Sequence, residues 1–206
     1  MVLEPLRGAD IGLAPRARDA ALAQLVRRRI GDMRETAARL ATPSGGCASS
    51  AAALLRLVAD LDTLEGKWPV SPQDRAALGA IRGSASAFVG IGIDNAVRGE
   101  ILTHLERLAH PDKLDDEGVE RLEETARHTR RLGIAGAKLG LATSADALLE
   151  RFLPTIQQAI RRRPPSSNMQ AGLFDQVRIV EILFGPDAAL RLYDEFRGSR
   201  AKVGPH

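Results

Sequence analysis

Apolar residues recur at steps of three and four along most of this chain, and this spacing restricts its fold more than any other feature. Such steps place side chains on one face of an α-helix, whereas a half-buried strand alternates apolar and polar residues. No useful run of β-branched residues alternates with period two. The chain is therefore predicted to be all-α. The clearest helical faces are those of Leu22, Leu25, Val26, Ile30, Met33, Ala37 and Leu40, then of Leu54, Leu55, Val58, Leu61 and Leu64, and later of Leu148, Leu149, Phe152, Leu153, Ile156 and Ile160.

The composition agrees with this fold class. Aromatic residues make up only 3% of the 206 residues and apolar residues 44%, so the core must be built mainly from Ala, Leu, Ile and Val. Such a core suits closely packed helices, and a chain of this length fits a single domain. We therefore predict a bundle of about seven or eight helices over residues 1–206, with an N-terminal helical hairpin (16–66) packed on a larger helical body (71–197).

Proline, glycine and short polar residues mark the predicted helix ends. Ser71 is placed to cap a helix that begins at Pro72, and Asp94 is placed to cap the next one. Pro154 should kink its helix or restart it, because an interior proline costs about 3 kcal/mol. Gly185 should separate the last two helices.

The most apolar and glycine-marked stretch, SASAFVGIGIDN at 84–95, has three competing interpretations. A dinucleotide-binding loop is disfavoured because Asn95 stands where that motif needs its third glycine, and because the preceding residues have a helical pattern. A membrane span is disfavoured because the apolar run at 83–93 is well short of the roughly 18 residues required. A closely packed helix is the favoured interpretation. Its small residues, at helical steps that would let another backbone approach, are Gly79, Gly83, Ala87 and Gly90.

Metal and catalytic sites have little support in the sequence. Glu100 with His104, and Glu124 with His128, are spaced four apart and would share helix faces. Di-iron bundles instead use Glu-x-x-His pairs with further inward carboxylates, so we interpret these pairs as solvated helix faces. Cys47 lies in a Ser/Gly loop without a basic cluster that would activate its thiol. We expect no metal, no cofactor and no enzymatic activity.

The N-terminal residues and the single cysteine bear on localisation. One cysteine cannot form an internal disulfide, and the opening MVLEPLRGADIGLAPR lacks the apolar core of a signal peptide. We therefore expect a cytoplasmic protein with no membrane partner.

Charge is balanced overall but unevenly distributed. The chain has 29 Lys and Arg against 26 Asp and Glu, a net charge of +3 with a pI near 9.5. Arginine clusters stand at 27–29, 130–131 and 161–163, and residues 151–206 hold nine cationic against five anionic side chains. This distribution permits an acidic or nucleic-acid partner without requiring one.

The segment IAGAKLGLATSADALLERFL at 134–153 resembles a helix-turn-helix motif. In that motif a short helix with small residues ends in Leu-Gly, here Leu139 and Gly140, and a recognition helix follows a polar turn. The resemblance implies a DNA-binding regulator that contacts DNA with this segment and the neighbouring arginines. The implied contact residues are Thr143, Ser144, Arg151, Arg161, Arg162 and Arg163.

Aromatic residues concentrate in the last third of the chain, which holds five of the seven. The segment 168–184 is apolar around more of its circumference than one packing face requires, so either the final helix or a partner covers the second side. We predict a non-enzymatic protein that acts by protein contact or self-association, as a regulator, adaptor or assembly subunit, with DNA binding as the alternative. The candidate interface residues are Phe174, Val177, Phe184, Tyr193 and Phe196.

Overall fold

The computed structural model describes residues 15–41, 47–108, 116–162 and 169–201. The described residues form seven helices and no strand, which confirms the all-α bundle of about seven or eight helices. The helices are α1 (Pro15–Ala41), α2 (Cys47–Lys67), α3 (72–108), α4 (Asp116–Lys138), α5 (145–161), α6 (Met169–Phe184) and α7 (Pro186–Ala201).

Helix α3 is continuous but changes its hydrogen-bonding pattern once. It runs as an α-helix over Pro72–Asn95, as a π-helix over Ala96–Ile101 and as an α-helix again over Leu102–Leu108. Ser71 caps its start as predicted, since its hydroxyl oxygen accepts a hydrogen bond from the Asp74 amide at 3.1 Å. The prediction that Asp94 caps a new helix is wrong, because its carboxylate accepts a bond from Arg98 Nε at 2.9 Å within the continuous helix.

Two further helix boundaries follow from the residues at them, and a third differs from the prediction. Helix α5 consists of Ala145–Leu149, a 3-10 turn at Glu150–Phe152 and a restart at Leu153–Arg161. Pro154 lies in the first turn of that restart, as predicted. Gly185 adopts a φ of +90°, which favours glycine, and separates α6 from α7 as predicted. Helix α2 begins at Cys47, a residue that the sequence pattern placed in a loop.

Helix α4 is central in the bundle, because it packs against α2, α3, α5 and α6, while α1 packs across α2 and α3. One apolar core includes residues from all seven helices and consists mainly of Ala, Leu, Ile and Val, as the composition predicted. In α1 the predicted face is buried at Val26, Ile30, Met33, Ala37 and Leu40.

Close packing occurs at other glycines than those predicted. A Cβ built on Gly136 of α4 would lie 2.6 Å from Leu148 Cδ2 and 3.0 Å from Val89 Cγ1, so both side chains pack directly over the α4 backbone and would have to shift to admit a larger residue. Similar atoms built on Gly79, Gly83 and Gly90 would meet nothing within 4 Å among the described residues. The prediction that another backbone approaches α3 at those three glycines is therefore wrong for this part of the chain. Gly92, by contrast, has Leu132 Cδ1 at 3.1 Å from such an atom.

Candidate functional site

Helices α6 and α7 form an antiparallel hairpin whose inner side belongs to the core. The Gly185 amide donates a hydrogen bond to the Glu181 carbonyl at 2.8 Å, which closes the end of α6. The hairpin is fixed to the bundle by a row of buried residues: Ile179, Val180, Leu183, Ala188, Ala189 and Leu192. Side chains on its outer side are therefore held on two rigid elements.

Three apolar side chains lie together on the outer side of this hairpin. The rings of Phe174 and Tyr193 stack with their centroids 6.0 Å apart and an interplanar angle of 24°. Leu190 lies one turn before Tyr193 on α7 and is 60% exposed, while Phe174 is 57% exposed. We call Phe174, Leu190 and Tyr193 the hairpin patch. It contains two of the exposed large apolar side chains found in the described chain.

The other predicted interface residues are turned more toward the core. Val177, Phe184 and Phe196 are partly buried and pack against the core cluster. The structure thus brings Phe174 and Tyr193 together at the surface and assigns the remaining three to the joint between hairpin and bundle. Leu190 was not among the predicted interface residues, although its spacing of three from Tyr193 is the signal that would have placed it on the same face.

The segment that resembles a helix-turn-helix does form a turn between two helices. Gly140 has a φ of +83°, and the Leu141 amide donates to the Gly136 carbonyl at 3.0 Å. Ser144 then caps α5, because its hydroxyl oxygen accepts a hydrogen bond from the Ala147 amide at 3.1 Å. The first α-helical part of α5 covers only Ala145–Leu149, and the 3-10 turn follows it directly.

The proposed DNA-contacting side chains have differing surroundings. Thr143 and Arg162 are exposed. The Arg151 guanidinium lies 4.6 Å from the centre of the Phe152 ring, and Arg161 forms an ion pair with Glu195 at 2.5 Å. Arg163 lies outside the described residues.

An aspartate next to that turn is held by the bundle. Asp146 accepts a hydrogen bond from Arg130 Nη1, which also donates to the Leu183 carbonyl at 3.0 Å. Arg130 therefore joins α4 to both α5 and α6, so this member of the arginine pair at 130–131 has a structural role.

The Glu and His pairs of the sequence lie where the π-helical turn of α3 meets α4. Thr125 Oγ1 donates a hydrogen bond to Glu100 Oε2 at 3.0 Å, and His104 Nδ1 lies 2.8 Å from the Glu100 carbonyl oxygen. No group of three or more His, Cys, Asp or Glu in the described ranges is arranged to hold a metal ion. Glu124 is exposed. The absence of a metal and of enzymatic activity stays a prediction.

His128 differs from the solvated residue that the sequence pattern suggested. It is only 4% exposed, and its Nδ1 has no hydrogen-bond partner in the described chain. Burial is the largest influence on the pKa of His128 and lowers it from the ordinary value of 6.5; the Glu100 carboxylate opposes this, Arg131 adds to it and Glu124 opposes it. The interpretation of His128 as a solvated helix face is therefore wrong.

One stretch of α3 has the length and composition of a membrane span. The helix Pro72–Leu105, of 34 residues, is apolar enough to cross a membrane, and 28% of its most apolar window is buried inside the fold. The apolar run at 83–93 is by itself shorter than a span, but the continuous helix extends well beyond it on both sides. Core helices of soluble proteins can have the same length and composition, and Val89, Ile93 and Ile101 of this helix are buried. The expectation of no membrane partner stays a prediction.

No protein-family model matches this chain, and no curated protein or solved structure matches it either.

Proposed function

We propose that this chain is a non-enzymatic protein that binds a protein partner through the hairpin patch and acts as a regulator, adaptor or assembly subunit. The observation that carries the proposal is the exposure of Phe174, which stacks on Tyr193, and of Leu190, one turn before Tyr193, at 57% and 60%. Grouped apolar side chains in contact with water often mark interaction sites. Tyr and Phe are also enriched at interfaces, where they supply much contact area at a low entropic cost.

The rigidity of the patch supports this proposal. Phe174 stacks on Tyr193, a contact that restricts its rotamers, and both residues stand on helices whose buried Ile179 and Leu192 belong to the core. A side chain that is ordered before binding loses less conformational entropy when a partner arrives. The patch is thus suited to binding without rearrangement of the fold.

Affinity capture from native extract tests the proposal, with nuclease treatment to separate protein partners from nucleic-acid bridging. The test variant is Phe174→Ser with Leu190→Ser. The matched control is Ile91→Ser with Leu141→Ser, which removes two exposed apolar side chains, 63% and 42% exposed, from other surfaces. We expect the wild type and the control to retain the same nuclease-resistant partner and the test variant to lose it. Retention of every partner by a folded test variant would contradict the proposal.

A second candidate function, DNA binding, is favoured by the turn at Gly140 and the cap at Ser144, which start α5 directly after α4. Against it stand the ion pair of Arg161 with Glu195 and the acidic Asp146 near the helix start. Binding of duplex DNA at several salt concentrations distinguishes the two functions. A DNA-binding protein should show affinity that falls steeply with salt and weakens on Arg151→Ala or Arg162→Ala. No binding to duplex DNA at low salt would remove this candidate.

A further inference from the structure

The outer face of α7 carries four exposed charged side chains: Asp187, Arg191, Asp194 and Arg197. They follow one another at steps of three and four, which puts them on one helix face together with Leu190. None of these four side chains forms an ion pair with a described residue. The neighbouring Glu195, in contrast, pairs with Arg161 at 2.5 Å.

The order of these charges is complementary to itself when the helix is reversed. From Asp187 to Arg197 the charges are negative, positive, negative and positive, and in the opposite direction their order is positive, negative, positive and negative. Two copies of α7 packed antiparallel therefore place Asp187 opposite Arg197 and Arg191 opposite Asp194, and a two-fold axis repeats each pair. A parallel arrangement would instead bring like charges together, which is unfavourable.

Both charge pairs are centred near the same point of α7, close to residue 192. Leu190 lies two residues before this centre, so the Leu190 side chains of the two copies would be about 6 Å apart along the helix axis at a rise of ~1.5 Å per residue. Tyr193 lies one residue beyond the centre, with Phe174 stacked against it. The arrangement therefore has an apolar middle and charged ends, as protein interfaces generally do.

We propose that the hairpin patch is the centre of an antiparallel, two-fold symmetric contact between two copies of this chain. This inference rests on the proposed function and names its partner as a second copy. The apolar side chains contribute the burial, and the four charges of each α7 fix the direction and register of the pairing.

Sedimentation equilibrium over a range of protein concentrations tests this arrangement. We expect the mass to rise with concentration from 22.1 kDa toward twice that value. Asp194→Arg should weaken the association at least about tenfold, because two arginines then face each other. Adding Arg191→Asp to that variant exchanges the charges and should restore association to near the wild-type value. Asp32→Arg, the same charge change on exposed α1, is the control and should leave the mass unchanged.

Two results would overturn the inference: a wild-type mass of 22.1 kDa at every concentration, or a charge-exchanged variant as weak as Asp194→Arg alone. The proposed function is judged separately by the capture experiment with Phe174→Ser and Leu190→Ser. A monomeric wild type that captures a different protein, and loses it in that variant, would overturn the second copy as partner and leave the proposed function standing.

Discussion

Gly136 of α4 and Leu148 of α5 approach each other so closely that a Cβ atom on Gly136 would lie 2.6 Å from Leu148 Cδ2. Val89 Cγ1 would lie 3.0 Å from the same atom, so a methyl group at this position meets α3 and α5 at once. We expect Gly136→Ala to lower the free energy of unfolding by about 1 kcal/mol or more, since overpacking outweighs the gain in helix propensity. Urea denaturation measures this change.

The matched control is Gly83→Ala on α3. A Cβ atom there meets nothing within 4 Å among the residues that the structure describes, so only the helix propensity changes and the free energy of unfolding should rise by about 0.5–1 kcal/mol. Changes of the same sign in the two variants would contradict the packing described for α4.

The buried His128 should make the fold sensitive to acid. Its pKa is lowered in the folded protein, so the unfolded chain binds the proton more readily. Its contribution to stability is therefore fully present above pH 6.5, its ordinary pKa, and is lost as the pH falls through the lowered folded pKa. We expect His128→Gln to reduce the loss of stability below pH 6.5, measured by urea denaturation at a series of pH values. An unchanged pH dependence would show that His128 titrates alike in both states.

Gln176 is a second buried polar residue whose side chain lacks hydrogen-bond partners among the described residues. It is 1% exposed, and neither its amide nitrogen nor its amide oxygen has a hydrogen-bond partner in the described chain. Replacing it by the similarly long Met removes two unsatisfied groups and should stabilise the fold by about 1–3 kcal/mol. Exposed Gln158→Met is the control and should change stability by less than about 0.5 kcal/mol. A destabilised Gln176→Met protein would mean that the amide is satisfied in solution.

Phe174 and Phe196 should respond differently to replacement by Ser. Phe196 packs against the core, so we expect Phe196→Ser to cost about 2 kcal/mol or more of stability. Phe174 is 57% exposed, so Phe174→Ser should cost less than about 1 kcal/mol. Thermal or urea denaturation of the two single variants measures both values. Equal losses would mean that Phe174 is as much a part of the core as Phe196.

Local signals predicted the helices well, because each depends on residues close together in sequence. The face of α1, the cap at Ser71 and the restart at Pro154 all follow from spacing and from the chemistry of single residues. The π-helical turn at Ala96–Ile101 was missed, since nothing in its residue types distinguishes it from the α-helix on either side.

The candidate site was harder to predict because periodicity shows that a face is apolar but not what covers it. Phe174 and Phe184 each follow a leucine in the same apolar helix, yet one is exposed and the other packs against the core. For the same reason the spacing of Gly79 and Gly83 resembled a packing face, although among the described residues neighbouring side chains approach Gly92, Gly133 and Gly136 instead. These differences depend on the arrangement of helices in space.

Hydroxyl-radical footprinting of the native complex, compared with the isolated chain, tests the central claim that the hairpin patch binds protein. The internal controls are Ile91 and Leu141, which are exposed on other surfaces. We expect oxidation of Phe174, Leu190 and Tyr193 to fall several-fold in the complex while the controls keep their rates. Unchanged oxidation of Phe174 and Leu190 in a complex that is demonstrably intact would contradict the account.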